Sequence, residues 1–165
     1  MRNERGQAAV EFTLCFMLVL VIAWIPADFG LAFYSSQLAQ NAAREGARMA
    51  AADPCLKGAG GPCTIPTATD QRGTCVYANC ITLDDKSVLY RTATRVSAAL
   101  LGQSTITIDY PATGSAGCDQ LVSARVQGQY PFFFYKLLRF MGFTVTIPTI
   151  DRTTTMRWEY QTACL

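Results

Sequence analysis

The sequence contains no histidine. Without an imidazole, no Ser-His-Asp or Cys-His catalytic arrangement can form, and zinc loses one of its usual ligands. Ser-Lys chemistry requires a suitably spaced lysine, and no S-x-x-K spacing occurs at Lys57, Lys86 or Lys136. The stretch GAGGP at 58–62 has no Lys-Ser or Lys-Thr after it, which indicates a turn rather than a phosphate-binding loop. We therefore expect that the protein is not an enzyme and that it needs no cofactor.

An excess of one charge is also absent. The chain has 14 Lys and Arg against 12 Asp and Glu, a formal net charge of +2. The basic residues are scattered and have no aromatic residues interleaved as a platform, so we expect no nucleic-acid partner. Several acidic residues outside the long helix leave a calcium site open, but loop and helix-cap roles are favoured and we assign no metal ligands. These residues are Asp84, Asp85, Asp109 and Asp119.

The cysteines include no C-x-x-C pair. Of the seven cysteines, Cys15 lies in an apolar run and is expected to behave as a small hydrophobic residue. An even number then remains, which favours three disulfides in an oxidising compartment such as a bacterial periplasm. Zinc is the less favoured alternative, because both histidine and C-x-x-C spacing are missing. The six cysteines concerned are Cys55, Cys63, Cys75, Cys80, Cys118 and Cys164.

A long apolar run dominates the N-terminal part of the chain. Residues from Phe12 to Ala27 carry no formal charge, and residues 8–27 as a helix would span about 30 Å, the thickness of a bilayer core. Arg2 and Arg5 precede the run, so the positive-inside tendency predicts a cytoplasmic N-terminus and a translocated C-terminal part. A cleaved secretory signal is the less favoured alternative, because the following IAWIPADFGLAFY offers no small-residue cleavage site.

Helical periodicity continues beyond the apolar run to about Ala52. One face of the helix is a polar stripe. The opposite face is a stripe of small residues, which let another backbone approach closely. We expect the distal half of the small stripe to face the protein's own sheet and the membrane half to be free for other subunits. We predict a kink at Pro26 and an end at Asp53-Pro54. The small residues proposed for helix packing are Ala39, Ala42, Gly46 and Ala50.

The rest of the chain predicts an α+β domain. Residues 54–83 read as a cysteine-rich loop, and a second helix is expected from about Asp84 to Gly102, capped by Asp84 or Asp85. Three runs with period-two alternation then predict an antiparallel sheet, at 105–110, 121–130 and 144–160. The fold class is therefore a long N-terminal transmembrane helix that continues into a periplasmic domain with a three-stranded antiparallel sheet and helices packed on it.

Two features of this domain carry further expectations. If the second and third strands are antiparallel neighbours, Cys118 lies near Cys164, and Cys55–Cys63 and Cys75–Cys80 are the simplest remaining pairs among fifteen connectivities. The aromatic connector YPFFFYKLLRFMGF at 130–143 is interpreted as buried over the sheet. The alternative is an exposed patch that docks on another subunit or dips toward the bilayer surface.

The N-terminal stretch RGQAAVEF is similar to the type IV prepilin signature. A glycine stands five residues before a glutamate, which is followed by phenylalanine and an apolar run. The resemblance implies cleavage between Gly6 and Gln7 by an inner-membrane prepilin peptidase, so that Glu11 becomes the fifth residue of the mature chain and Phe12 the sixth. A carboxylate at the membrane edge is costly unless it is paired, and pairing with a neighbour's new N-terminal ammonium would set the register of assembly. The alternative is that Glu11 only snorkels to the headgroups.

The chain also resembles the TadE-like family, the minor pilins or pseudopilins of the tight-adherence (Tad, or Flp) pilus. The resemblance rests on RGQAAVEFTL, then DFGLAFYSSQLAQNAAREGAR, and finally VQGQYPFFF followed by TTTMRWE. It covers about residues 5–52 and 122–159. It implies a subunit that takes part in pilus assembly, priming or the tip. The implied partners are the prepilin peptidase, a major pilin, other minor pilins, the inner-membrane assembly platform and membrane lipid.

We therefore expect four segments: a prepilin-type leader at 1–6, which the resemblance implies, a long helix at 7–53, the cysteine-rich loop at 54–83 and a periplasmic α+β domain at 84–165. The resemblance implies a single-pass protein of the bacterial inner membrane that reaches the cell surface only in an assembled pilus. The alternative function is a permanently anchored periplasmic binding module that never enters a filament.

Overall fold

One helix accounts for almost a third of the chain. The computed structural model describes residues 4–52, 73–83, 85, 87–96, 101, 103–109, 121–144 and 146–159. Helix α1 runs without interruption from Glu4 to Ala51, and Pro26 lies inside it. A proline removes one backbone hydrogen bond, but the bonds on either side keep the helix continuous. The predicted long helix is therefore present, and half of it extends beyond the folded domain.

The sheet has four strands rather than the three predicted. They are β1 (Gly73–Val76), β2 (Thr105–Asp109), β3 (Leu121–Gln129) and β4 (Thr149–Arg157), in the order β1-β2-β3-β4 with every pair antiparallel. The additional strand lies in the segment predicted as a cysteine-rich loop, which also contains the one-turn helix α2 (Tyr77–Cys80). β1 has only four residues, so it is too short to show the alternation by which a strand is recognised in sequence.

The predicted alternation holds in β2 and β3. Val122, Ala124 and Val126 of β3 are buried, and their neighbours on the strand are not. Ile106 and Ile108 of β2 share this inner face. The inner face of β2 and β3 therefore consists of aliphatic side chains, which bury apolar surface without leaving polar groups unpaired.

Helices cover the inner face and close the core. The distal half of α1 and helix α3 (Val88–Thr94) pack on the sheet, with Leu89 and Val96 almost fully buried between them. The predicted cap was wrong, because Ser87, not Asp84 or Asp85, holds the N-cap position of α3. Gly102, the predicted end of this helix, lies outside the described residues.

The aromatic connector contains helix α4 (Phe133–Phe140), and the interpretation that it is buried over the sheet was wrong for this helix, although Tyr130 and Phe132 before it are buried. No residue of α4 is buried. The helix lies instead beside the membrane half of α1, by which we mean the predicted span at residues 8–27. Here Trp24 contacts Phe133 with ring centroids 5.1 Å apart. These aromatic rings pack against each other outside the main core.

Candidate assembly helix and its membrane-proximal contacts

The predicted processing and assembly residues lie on the first three turns of α1. Gly6 has no heavy atom within 4 Å of where a Cβ would stand, so nothing in the fold needs a glycine there. The side-chain amide of Gln7 donates a hydrogen bond to Glu11 Oε1 at 3.1 Å, one helical turn away. Phe12 stacks on Phe16 with ring centroids 5.9 Å apart. The four predicted residues Gly6, Gln7, Glu11 and Phe12 are thus close together and fully accessible to another molecule.

Among the described residues, the contacts of Glu11 include no ion pair, and the neutral amide of Gln7 donates a hydrogen bond to it. A hydrogen bond from a neutral donor offsets only part of the free-energy cost of removing a carboxylate from water. An approaching cation would therefore find an acceptor oxygen that is still accessible.

The membrane half of α1 has no protein partner over most of its surface. Within the described residues, α1 is the single helix that is long and apolar enough to cross a membrane, and its most apolar window has no buried residue. Phe12, Leu14 and Ile22 are each more than 60% exposed. In water such a surface would be strongly unfavourable, so lipid or other helices must cover it.

The small-residue stripe lies in the distal half of α1 and faces the protein's own domain. Ala39, Ala42, Gly46 and Ala50 are fully buried, and the first, second and fourth belong to the core beside the sheet. A Cβ on Gly46 would stand 2.5 Å from Thr92 Oγ1 and 3.4 Å from the Cβ of Ala124. The stripe therefore lets α1 approach both α3 and β3, and these four residues are not accessible to a neighbouring subunit.

A buried carboxylate joins the outer end of the apolar run to α4. Asp28 is 4% exposed and accepts a hydrogen bond from the backbone N–H of Phe134 at 2.9 Å, which satisfies one of the free donors at the start of α4. The Tyr130 hydroxyl also bonds to Asp28. Burial, followed by the charge of Asp28 and this hydrogen bond, raises the pKa of Tyr130, so the phenol stays protonated and able to donate.

Aromatic rings pack on one another next to this carboxylate. Phe132 stands at the centre, with ring centroids 5.8 Å from Phe29, 4.7 Å from Tyr130 and 4.9 Å from Tyr135. Packing of this kind excludes water from the Asp28 hydrogen bonds and strengthens them. The start of α4 is thus fixed to α1 by a polar contact inside an apolar shell.

The model of the TadE-like protein family matches residues 6–48, which include all of these α1 residues except Ala50. This helix is similar to the TadE-like family. The resemblance found in the sequence is therefore confirmed over that segment, and it supports a pilin-like component of the tight-adherence pilus. One apolar N-terminal helix also fits a single-pass membrane protein of such a system. No curated protein and no solved structure matches the chain.

Two contacts between the TadE-like helix and β4 were not predicted. Arg152 Nε and Nη2 donate to Ser36 Oγ at 3.0 and 2.6 Å, and Gln40 Nε2 donates to Thr154 Oγ1 at 3.0 Å. Arg152 is in phase with Ile150 and Thr154 on the strand, so its position on the helix-facing side was readable from the alternation. Gln40 is half-buried against the sheet, and no local pattern in the sequence indicates its contact with Thr154.

The cysteines of the described residues fall into two classes. Cys75 of β1 and Cys80 of α2 form a disulfide with their Cα atoms 5.7 Å apart, and Cys80 belongs to the core. Cys15 is a free, exposed thiol in the apolar part of the TadE-like helix. The predicted pairs Cys55–Cys63 and Cys118–Cys164 lie outside the described residues. Within the residues that the structure describes, no group of three metal-binding side chains could hold a metal ion.

Proposed function

We propose that the protein is a minor pilin, or pseudopilin, of a tight-adherence pilus. It is trimmed by a prepilin peptidase after Gly6 and then takes part in assembly, priming or the tip of the filament. It acts by helix packing and charge pairing and catalyses no reaction. The single observation that carries the proposal is the accessible Glu11 carboxylate, one helical turn from Gln7 and five residues after Gly6, at the start of a helix of the TadE-like family.

The spacing has a physical reason. Cleavage after Gly6 creates an ammonium group on Gln7, and both this group and Glu11 then lie at the edge of the apolar run. Two unpaired charges at that depth are costly, and pairing between adjacent subunits removes both costs together. Because the pair forms only at one axial offset, it also selects the register in which a subunit joins its neighbours.

The position of Gly6 suits a peptidase substrate. Proteolysis needs an extended backbone, and Gly6 lies in the first turn of α1, where the first N–H groups have no intrahelical partner. Glycine lowers helix stability by about 1 kcal/mol relative to alanine. The cleavage bond is therefore in the part of the helix that opens most readily.

The proposed arrangement puts the N-terminus in the cytoplasm and the α+β domain in the periplasm. Arg2 and Arg5 precede the apolar run, and the Cys75–Cys80 disulfide suits an oxidising compartment. The proposed partners are the prepilin peptidase, a major pilin, other minor pilins and the membrane platform of the assembly machine.

The N-terminus of the mature protein tests the proposal directly. We expect mass spectrometry of the chain extracted from membranes of cells that carry the pilus system to find Gln7 as the first residue. Gly6→Val should abolish trimming, because a branched side chain at the cleavage position needs space that a peptidase closing on a glycine does not leave. Gly30→Ala is the matched control, since Gly30 lies on the same helix with equally open surroundings, and it should be trimmed normally. An intact leader in the wild type, or normal trimming of the Gly6 variant, would favour the permanently anchored binding module.

A further inference from the structure

Helix α4 presents an apolar surface that nothing in the described domain covers. Phe140 is 90% exposed, Met141 65% and Phe143 56%, and Phe133 and Leu137 are also exposed on the same short helix. A contiguous group of large apolar side chains is unusual on a surface that faces water. The rest of the domain follows the ordinary pattern, since β2 and β3 bury their aliphatic residues and expose polar ones.

The height of α4 along α1 indicates what covers it. Phe133, Phe134 and Leu137 line one side of an apolar groove, and Leu20, Val21 and Trp24 of α1 line the other. These α1 residues belong to the uncharged run that ends at Ala27. At 1.5 Å per residue, Leu20 lies about 10 Å below that end. A helix that touches α1 at this height is therefore level with the outer part of the bilayer.

The charges of α4 suit the same location. Lys136 and Arg139 are exposed on this helix, and their long side chains can reach phosphate groups while the ring and aliphatic side chains lie deeper. Amphipathic helices in the plane of a membrane bury their apolar face about 5–10 Å into the boundary between headgroups and acyl chains. Asp28, which is buried and holds the N–H of Phe134, fixes α4 beside the end of the apolar run.

We propose that α4 and the residues after it up to Phe143 form a second membrane contact, which lies in the phospholipid headgroup region of the outer leaflet. Its apolar surface is continuous with the lipid-facing surface of α1. The protein before assembly is thus held by a span and an interfacial helix together, which fixes the tilt and rotation of the domain above the bilayer. The inference rests on the membrane span of the proposed function and goes beyond it.

Quenching of tryptophan fluorescence by lipids with brominated acyl chains tests this contact, because the quencher acts only at short range. The full chain is reconstituted in phosphatidylcholine vesicles in a Trp24→Phe background, which leaves the buried Trp158 as the native tryptophan. Three variants are compared. Phe140→Trp reports on α4, and Leu14→Trp reports on the middle of the span. Ile81→Trp is the control, because Ile81 is an exposed apolar residue directly after α2.

We expect strong quenching of Leu14→Trp and Phe140→Trp and little quenching of Ile81→Trp. If Phe140→Trp is no more quenched than Ile81→Trp while Leu14→Trp is quenched, the inference is overturned and the membrane span stands. If Phe140→Trp is quenched neither by the brominated lipid nor by iodide in the water, protein rather than lipid covers it, and the inference is equally overturned. Absence of quenching at Leu14→Trp would overturn the span and with it both proposals.

Discussion

At the scale of single residues, Gly46 lies where α1 and α3 are too close together for a larger side chain. The Cβ of an alanine there would meet Thr92 Oγ1 at 2.5 Å, and Thr92 is fully buried with its hydroxyl donating to the carbonyl of Val88 at 2.7 Å. Overpacking costs about 1–3 kcal/mol, against a gain of about 1 kcal/mol from the better helix former. We therefore expect Gly46→Ala to lower the free energy of unfolding by up to about 2 kcal/mol, measured in detergent by chemical denaturation.

Two variants sharpen this measurement. Gly30→Ala, with open space around the new methyl group, should leave stability unchanged or raise it slightly. Thr92→Ala removes the atoms that an alanine at position 46 would meet, so the Gly46→Ala substitution should cost less in that background. An equal cost in both backgrounds would mean that the close approach of α1 to α3 is not what requires the glycine.

At the scale of elements, an ion pair joins the two longest strands. Arg125 of β3 and Asp151 of β4 form a two-pronged contact on the outer face of the sheet. The hydrogen bond from Arg125 lowers the pKa of Asp151 below its ordinary 3.8, and burial opposes this only in part. A carboxylate whose pKa is lower in the folded state stabilises the fold above the unfolded value and loses that contribution as the pH falls through the folded value.

Substitution of Asp151 should therefore have a pH-dependent cost. We expect Asp151→Asn to be less stable than the wild type at neutral pH, and the difference should shrink below about pH 4 as the wild-type carboxylate takes up a proton. Both side chains are partly exposed, so salt should also reduce the difference. Unfolding curves at several pH values check this, with Arg125→Gln as the matched variant. A difference that is constant from pH 7 to 3 would contradict the ion pair.

Elements whose sequence pattern is long were predictable, and those that depend on distant partners were not. The apolar run and the small stripe identified α1, and alternation identified β2 and β3, because each pattern repeats over several residues. β1 has four residues and exists through its pairing with β2, which no local pattern reports. The exposure of α4 was mispredicted for a related reason. Its aromatic residues fit a core, and only contacts between distant parts of the chain, such as that of Asp28 with Phe134, show that it lies beside the membrane half of α1.

At the scale of the whole molecule, the two halves of α1 lie in different surroundings. From Ser35 to Ala51, α1 is part of the core, and before Trp24 it has little contact with the domain beyond the groove shared with α4. A change near Glu11 should therefore not disturb folding, since no core residue is within reach of it. This separation allows assembly to be tested in a protein whose domain remains intact.

Glu11→Gln should separate assembly from processing. The substitution keeps the size and the hydrogen-bonding capacity toward Gln7 but removes the charge. We expect normal trimming after Gly6, normal stability of the domain and a strong loss of the protein from sheared pilus fractions, because the partner ammonium is left without a counterion. Glu45→Gln on the same helix, where Arg48 is the partner at 3.1 Å, is the matched control and should assemble normally. Full incorporation of Glu11→Gln would show that this carboxylate does not set the register of the subunit.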